Sequence, residues 1–167
     1  MLINNIKNDY NYFLRIKSDP LATKMINLLM RHGKRSKAEK VLSKSLQALD
    51  KAYPGQSLSI FYLAIIHSKQ DISVRLKPKP KKGRKRESYN IYLPRVISPA
   101  CGLNLGIRSI LKVSKERSQA SSQPFWESLS QELLQASQNK GEVIAKKYKI
   151  HDLAVSNKRR IHFGFRH

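Results

Sequence analysis

Residues 75–86 read RLKPKPKKGRKR, and eight of these twelve are Lys or Arg, with no acid among them. The chemistry such a run offers is neutralisation of a polyanion. It cannot bury itself, because each unpaired charge taken out of water costs several kcal/mol. It cannot form a regular helix, because Pro78 and Pro80 lack amide donors and clash with the preceding turn. Residues 72–74 before it and 89–93 after it are rich in β-branched, aliphatic and aromatic side chains. The pattern predicts two strands joined by a cationic tip, a ribbon over 72–97 that projects from the body. About ten residues per arm at about 3.3 Å each gives a reach of about 30 Å.

Three further basic blocks, at 31–44, 108–117 and 146–166, accompany this run. The whole chain carries 33 Lys and Arg against 11 Asp and Glu, a net charge of +22. Such a charge repels itself unless a partner neutralises it. Nucleic acid is the partner indicated, ahead of an anionic membrane surface. Charge spread over four blocks suits a large folded RNA, whose phosphates face many directions, better than a short DNA site. The candidate contacts are Arg31, Lys34, Arg35 and Lys37 in the first block, and Arg75, Lys77, Lys79, Lys81, Lys82, Arg84, Lys85 and Arg86 in the ribbon. Arg108 and Lys112 follow, then Lys146, Lys147, Lys158, Arg159 and Arg160 near the end.

Other chemistries lack their residues. There is no GxGxxG, Walker loop, GxSxG or HExxH, so neither a nucleotide cradle nor a hydrolytic nucleophile is marked. The acids are scattered, with most expected on exposed helix faces. The single cysteine, Cys101, excludes an internal disulfide. His32, His67, His151, His162 and His167 lack the paired spacings of metal ligands. We expect no enzyme, no cofactor and no metal. No apolar run approaches the roughly 18 residues of a membrane span. The first seventeen residues, interrupted by Asn4, Asn5, Asn8 and Asn11, do not resemble a secretory signal.

The elements that must hold these charges are helical. A chain of 167 residues can bury one core. We expect an N-terminal arm over 1–17 and a single domain over 18–167. Asp19-Pro20 opens a first helix with Leu21, Met25, Leu28 and Leu29 on one face, ending near His32-Gly33. Ser36 opens a second helix with Ala38, Val41, Leu42, Leu46 and Leu49 inward. The segment 57–67 is apolar almost throughout and predicts a buried central helix. After the ribbon, Ser98-Pro99 starts a fourth helix whose Gly102 and Gly106 permit close packing. A polar linker is expected at 118–122. A fifth helix follows Pro124, with Trp126 as a core anchor, and a sixth runs over 143–160. The expectation is a mainly α fold of about six helices with one protruding two-stranded antiparallel β-ribbon.

Residues 25–46 read MINLLMRHGKRSKAEKVLSKSL. This run resembles the segment that characterises the universal family of the seventh small-subunit ribosomal protein. The likeness covers Ile26-Asn27, Leu29-Met30-Arg31, Gly33-Lys34 and Ser36-Lys37-Ala38-Glu39. LSQELLQASQNKG at 129–141 is similar to the family's L-x-x-E-L-L-x-A…G segment. His151, Ala154, Asn157 and His162 fall where its ending places them. Pro94, Pro99, Leu103, Leu105 and Arg108 match the junction between ribbon and helix.

The resemblance implies a helical body with a β-ribbon. It implies a structural protein that binds the 3′ major domain of small-subunit rRNA and nucleates assembly of the subunit head. It places the ribbon by exit-site tRNA and emerging mRNA, beside the eleventh small-subunit protein. Carried over, Lys34, Arg35 and Lys37 lie in the family's RNA-binding corner, Arg75 and its successors on the ribbon, and Arg108 and Lys146 at basic family positions. The chain departs from the family at the ribbon tip, which lacks the usual Gly-Gly turn, and at Asp71, Gly164, Arg159 and Arg160. Its many Asn, Ile and Lys residues suggest an AT-rich organelle genome, with the mitochondrion ahead of a plastid or a bacterial cytoplasm. The rival reading from residues alone is a helical DNA-binding module that uses the ribbon as an arm. A second rival is an assembly chaperone that leaves the finished subunit.

Overall fold

The computed structural model describes residues 18–78 and 90–160. The elements run α1 (Pro20–Leu29), α2 (Arg35–Ala52), α3 (Ser57–Ser68), β1 (Ile72–Pro78), β2 (Asn90–Val96), α4 (Pro99–Ser121), α5 (Phe125–Ser137), α6 (Glu142–Ser156) and a closing 3₁₀ turn (Lys158–Arg160). The expected six helices and one antiparallel pair are present among the described residues. The expected arm at 1–17, the ribbon tip at 79–89 and the tail at 161–167 lie outside them.

Asp19 caps α1 by accepting from the Leu21 amide at 3.0 Å, with Pro20 at the first helical position. The second carboxylate oxygen of Asp19 accepts from the Tyr62 hydroxyl at 2.9 Å, which ties the start of α1 to α3. Burial, and then the neighbouring Asp19, hold that phenol above its ordinary range. α1 ends earlier than the glycine suggested. Met30 is its cap, with extended backbone, and His32 and Gly33 form a separate left-handed corner. α2 begins at Arg35 rather than at Ser36, with Lys34 as a cap that makes no side-chain bond.

The core is drawn from every described helix. Met25, Ile26, Leu42, Leu46, Phe61, Ile65, Ile107, Ile110, Leu129 and Leu133 are fully buried within it. α5 packs against α2, α3 and α4, so it shares the centre that the sequence assigned to α3 alone. α3 itself is not buried all round. Ile60, Phe61, Ala64 and Ile65 face inward, whereas Tyr62, Leu63 and Ile66 stay exposed. Trp126 is only half-buried, and the aromatic of α5 packed on the core is its neighbour Phe125. The helical period decides between such adjacent residues, and one step of about 100° turns a side chain off the core. On α6, Val143, Ile144 and Ala154 are buried, but Tyr148 and Leu153 face solvent.

The expected linker at 118–122 is mostly helix. α4 continues to Ser121, and Ser122 reverses the chain in the left-handed region at φ 53°. The Ser118 and Ser121 hydroxyls bond locally, to the Gln123 and Arg117 carbonyls, so the polar stretch satisfies itself within a helix end. The sixth helix also stops sooner than expected, at Ser156, before the 3₁₀ turn. Gly102 and Gly106 do allow close approach, Gly106 to the last residue of α3 and Gly102 to the chain that leaves it. A Cβ at Gly106 would sit 2.7 Å from the Ser68 carbonyl oxygen, and one at Gly102 would collide with the Gln70 carbonyl.

β1 and β2 pair in register from Ile72 opposite Val96 to Pro78 opposite Asn90. Seven pairs at about 3.4 Å per residue make a described ribbon of about 20 Å. In a two-stranded ribbon both strands are edges, so Pro94 costs no ladder bond to a third strand. The base of the ribbon is fastened by the Ile97 amide donating to the Asp71 carbonyl at 3.1 Å. The ribbon does not stand free of the body throughout, since both strands contact α6 and β2 also meets the closing turn.

Candidate nucleic-acid interface

The sharpest cationic feature is the corner between α1 and α2. His32 and Gly33, at φ 51° and 68°, turn the chain, and the Lys34 and Arg35 amides bond back to Arg31 and Gly33 at 3.0 and 2.8 Å. Arg31, Lys34, Arg35 and Lys37 are all exposed there. The first turn of α2 contains no acid and its cap has no side-chain acceptor. Cations at a helix N-terminus oppose the macrodipole, and its unpartnered amides add to the positive potential. Arg35 alone is offset, by a 2.9 Å bond to Glu39 one turn on. Among the described residues, Arg31, Lys34 and Lys37 have no carboxylate partner. An arrangement with so little internal compensation is suited to an external anion.

Packing of α1 against α4 brings a further cation to this corner. Lys115 faces it across a groove of about 450 Å³ whose lining also includes Arg31, Lys34 and Lys37. Lys115 was not among the candidates from sequence, although it shares a helical face with Arg108 and Lys112. Those two are exposed on α4, and Lys112 lies 4.0 Å from Glu116, a marginal pair.

Lys146 and Lys147 are placed differently. The Lys146 ammonium bonds Glu116 and Glu142, each at 2.8 Å, which raises its pKa and lowers that of Glu116. It thereby clips α6 to α4. The Lys147 ammonium donates to the His67 carbonyl at 2.7 Å, a cation set on the last carbonyls of α3. The His67 ring in turn meets the Ala136 carbonyl at 3.1 Å. Both lysines are spoken for inside the protein.

At the other end, Arg75 is exposed on β1, and Lys158 and Arg159 are exposed on the 3₁₀ turn beside β2. A smaller apolar groove of about 170 Å³ separates the ribbon base from the end of α6, with Lys158 and Arg95 at its edge. The ribbon base and the end of the helical body, distant in sequence, thus meet there, with Arg95 and Lys158 as the cations at the groove. Lys77 and Arg160 belong to β1 and to the turn by backbone. Lys79, Lys81, Lys82, Arg84, Lys85 and Arg86 fall outside the described residues.

Sequence reasoning missed one buried charge pair. Glu132 is fully buried on α5 and bridged by Arg117 of α4, whose side chain is 25% exposed. Arg117 also donates to the Gln135 amide oxygen at 3.0 Å. Burial pushes the Glu132 carboxyl up and Arg117 opposes that shift. Glu39 is likewise largely buried, so two of the acids lie inside where most were expected on exposed faces. The Glu132–Arg117 pair holds α4 to α5 and contributes nothing to the cationic surface.

A basic helical body, a paired ribbon and a corner whose Arg31, Lys34 and Lys37 have no carboxylate partner among the described residues make a surface of the class suited to a polyanion. Comparison with known proteins gives the particular family: residues 4–158 match the profile of ribosomal protein S7p/S5e, and the chain belongs to that family. A small ribosomal subunit protein uS7 of Sulfurihydrogenibium sp. (strain YO3AOP1) is 32% identical over 148 residues, 89% of each chain. Proteins of the same name from Neisseria gonorrhoeae (strain ATCC 700825 / FA 1090) and Ralstonia pickettii (strain 12J) are 29% and 30% identical over 143 and 142 residues, 86% and 85% of this chain and 85% of each relative. The protein is a structural ribosomal component acting in translation and is not an enzyme.

Proposed function

We propose that the chain binds the 3′ major (head) domain of small-subunit rRNA and nucleates assembly of the subunit head. The α1–α2 corner carries this reading, since its Arg31, Lys34 and Lys37 have no carboxylate partner among the described residues and stand where two helices meet. Phosphates of converging rRNA helices would replace the missing carboxylates and release condensed counterions. Arg75, Lys158 and Arg159 extend the contact at the ribbon base, while Lys146 and Lys147 support it by fixing α6. In the same reading the ribbon lies near exit-site tRNA and mRNA, with the eleventh small-subunit protein and other head proteins as neighbours. The Asn-, Ile- and Lys-rich composition supports a mitochondrial setting, which organelle fractionation and immunoblotting test; recovery only from bacterial cytoplasm would refute it.

The binding test uses the purified chain with the rRNA 3′ major domain, an unrelated RNA of equal length and duplex DNA across a salt series. Neutralising six to ten phosphates lowers affinity by about 10³–10⁵ between about 50 and 200 mM salt. A preference for the rRNA domain that persists as salt rises is expected. Equal binding of all three ligands, falling together, would overturn the reading.

A further inference from the structure

The groove beside the corner has a floor that phosphate binding does not use. Leu28 and Leu29 of α1, Val41 of α2, Leu111 of α4 and Phe125 of α5 line it, all half-buried. Arg31, Lys34, Lys37 and Lys115 line it too, and its lining contains no carboxylate. Its volume of about 450 Å³ lies within the range of pockets that accept small organic groups. An RNA duplex presents phosphates but keeps its bases stacked inside, so it would leave this floor empty. An unpaired nucleotide offers both chemistries, a flat base for an apolar and aromatic surface and flanking phosphates for a cationic rim.

We propose that this groove receives an unpaired nucleotide of the bound RNA, its base against the floor by Phe125 and Leu111, and its adjacent phosphates on Lys34, Lys37 and Lys115. The proposal rests on the RNA-binding reading above and adds a preference within it, for RNA with an extruded or loop base over a perfect duplex. Charge complementarity selects this occupant over an apolar helix, which would leave four cations facing no anion.

The test uses the full-length protein with two RNA probes, a hairpin carrying an oligouridine loop and a blunt duplex with the same number of phosphates. The loop contains 4-thiouridine, so irradiation of the wild-type complex records what the bases touch. Crosslinks are expected on the peptides that contain Leu28, Leu111 or Phe125. Phe125→Ala is expected to weaken hairpin binding by about 5- to 150-fold with little change for the duplex, the range seen when one base loses an aromatic platform. Lys115→Gln should weaken both probes alike and lower the salt slope by about one. If wild type binds both probes but loop crosslinks map elsewhere, the groove proposal is overturned and the RNA reading stands. If wild type binds neither probe nor the rRNA domain, the RNA reading itself fails. The wild-type crosslink map decides the matter even where Phe125→Ala impairs folding, and competition by an acidic peptide at the same peptides would assign the groove to a protein instead.

Discussion

Replacing Arg117 with Ala is the most direct test of how the helical scaffold is held. The substitution leaves the Glu132 carboxylate buried with its compensating charge gone. Breaking a buried pair in this way costs about 3–5 kcal/mol, and the lower end applies because Arg117 is partly exposed to water. The lost bond to Gln135 adds about 1 kcal/mol. A total of about 3–4 kcal/mol corresponds to a fall in Tm of about 6–16 °C for a chain of this size. The loss depends on pH with a definite sign. Burial already raises the Glu132 pKa above 4.5 in the folded protein, and removing Arg117 raises it further. The folded state then holds a proton that the unfolded chain has released. Stability from this group is therefore full below the unfolded pKa and is lost as pH rises toward the folded one. The deficit relative to wild type should shrink as pH is lowered from about 7.5 to about 5, by at most about 1.4 kcal/mol per pH unit. Adding Glu132→Gln to Arg117→Ala removes the buried charge and should recover most of the loss. Calorimetry or circular dichroism at both pH values measures the wild type, the single variant and the double variant. An Arg117→Ala deficit under about 1 kcal/mol, or one unchanged by pH and by the second substitution, would refute the electrostatic account.

Three further outcomes follow from the same geometry. Gly106→Ala should destabilise the chain by about 1–3 kcal/mol in a denaturant melt, because its Cβ meets the Ser68 backbone and no flexible side chain can yield. Asp19→Ala should cost about 1 kcal/mol through loss of the α1 cap, and spectrophotometric titration should return the Tyr62 phenol toward its ordinary value. Lys34→Gln and Lys37→Gln should each reduce the salt slope of RNA binding by about one without lowering Tm, whereas Lys146→Gln should leave that slope nearly unchanged, since its charge is engaged by Glu116 and Glu142.

Much of the architecture was legible in the residues. Apolar period marked six helices, Pro20 and Pro99 marked two helix starts, and the apolar flanks of residues 75–86 marked the strand pair. These signals are local, because capping, period and proline chemistry act within one turn. Boundaries were less legible. Gly33 suggested the end of α1, yet the chain leaves the helix at Met30, whose backbone is extended, and turns only afterwards at His32 and Gly33. The serines at 118–121 suggested a linker, because hydroxyls that bond their own backbone look alike in a loop and at a helix end.

The sequence by itself determined the charge, the helical composition, the ribbon and the family resemblance, since each depends on residue types and their spacing along one stretch. Only the tertiary structure decided which cations remain available. Lys34 and Lys146 both stand in basic blocks of the sequence, but the first has no carboxylate partner among the described residues and the other lies between two glutamates from different helices. The same holds for Lys115, which joins the corner only because α1 packs on α4, and for Glu132, whose burial depends on the meeting of α4 and α5. Charge is a property of a residue, whereas compensation is a distance between residues, and distances across helices are set by how the apolar faces pack.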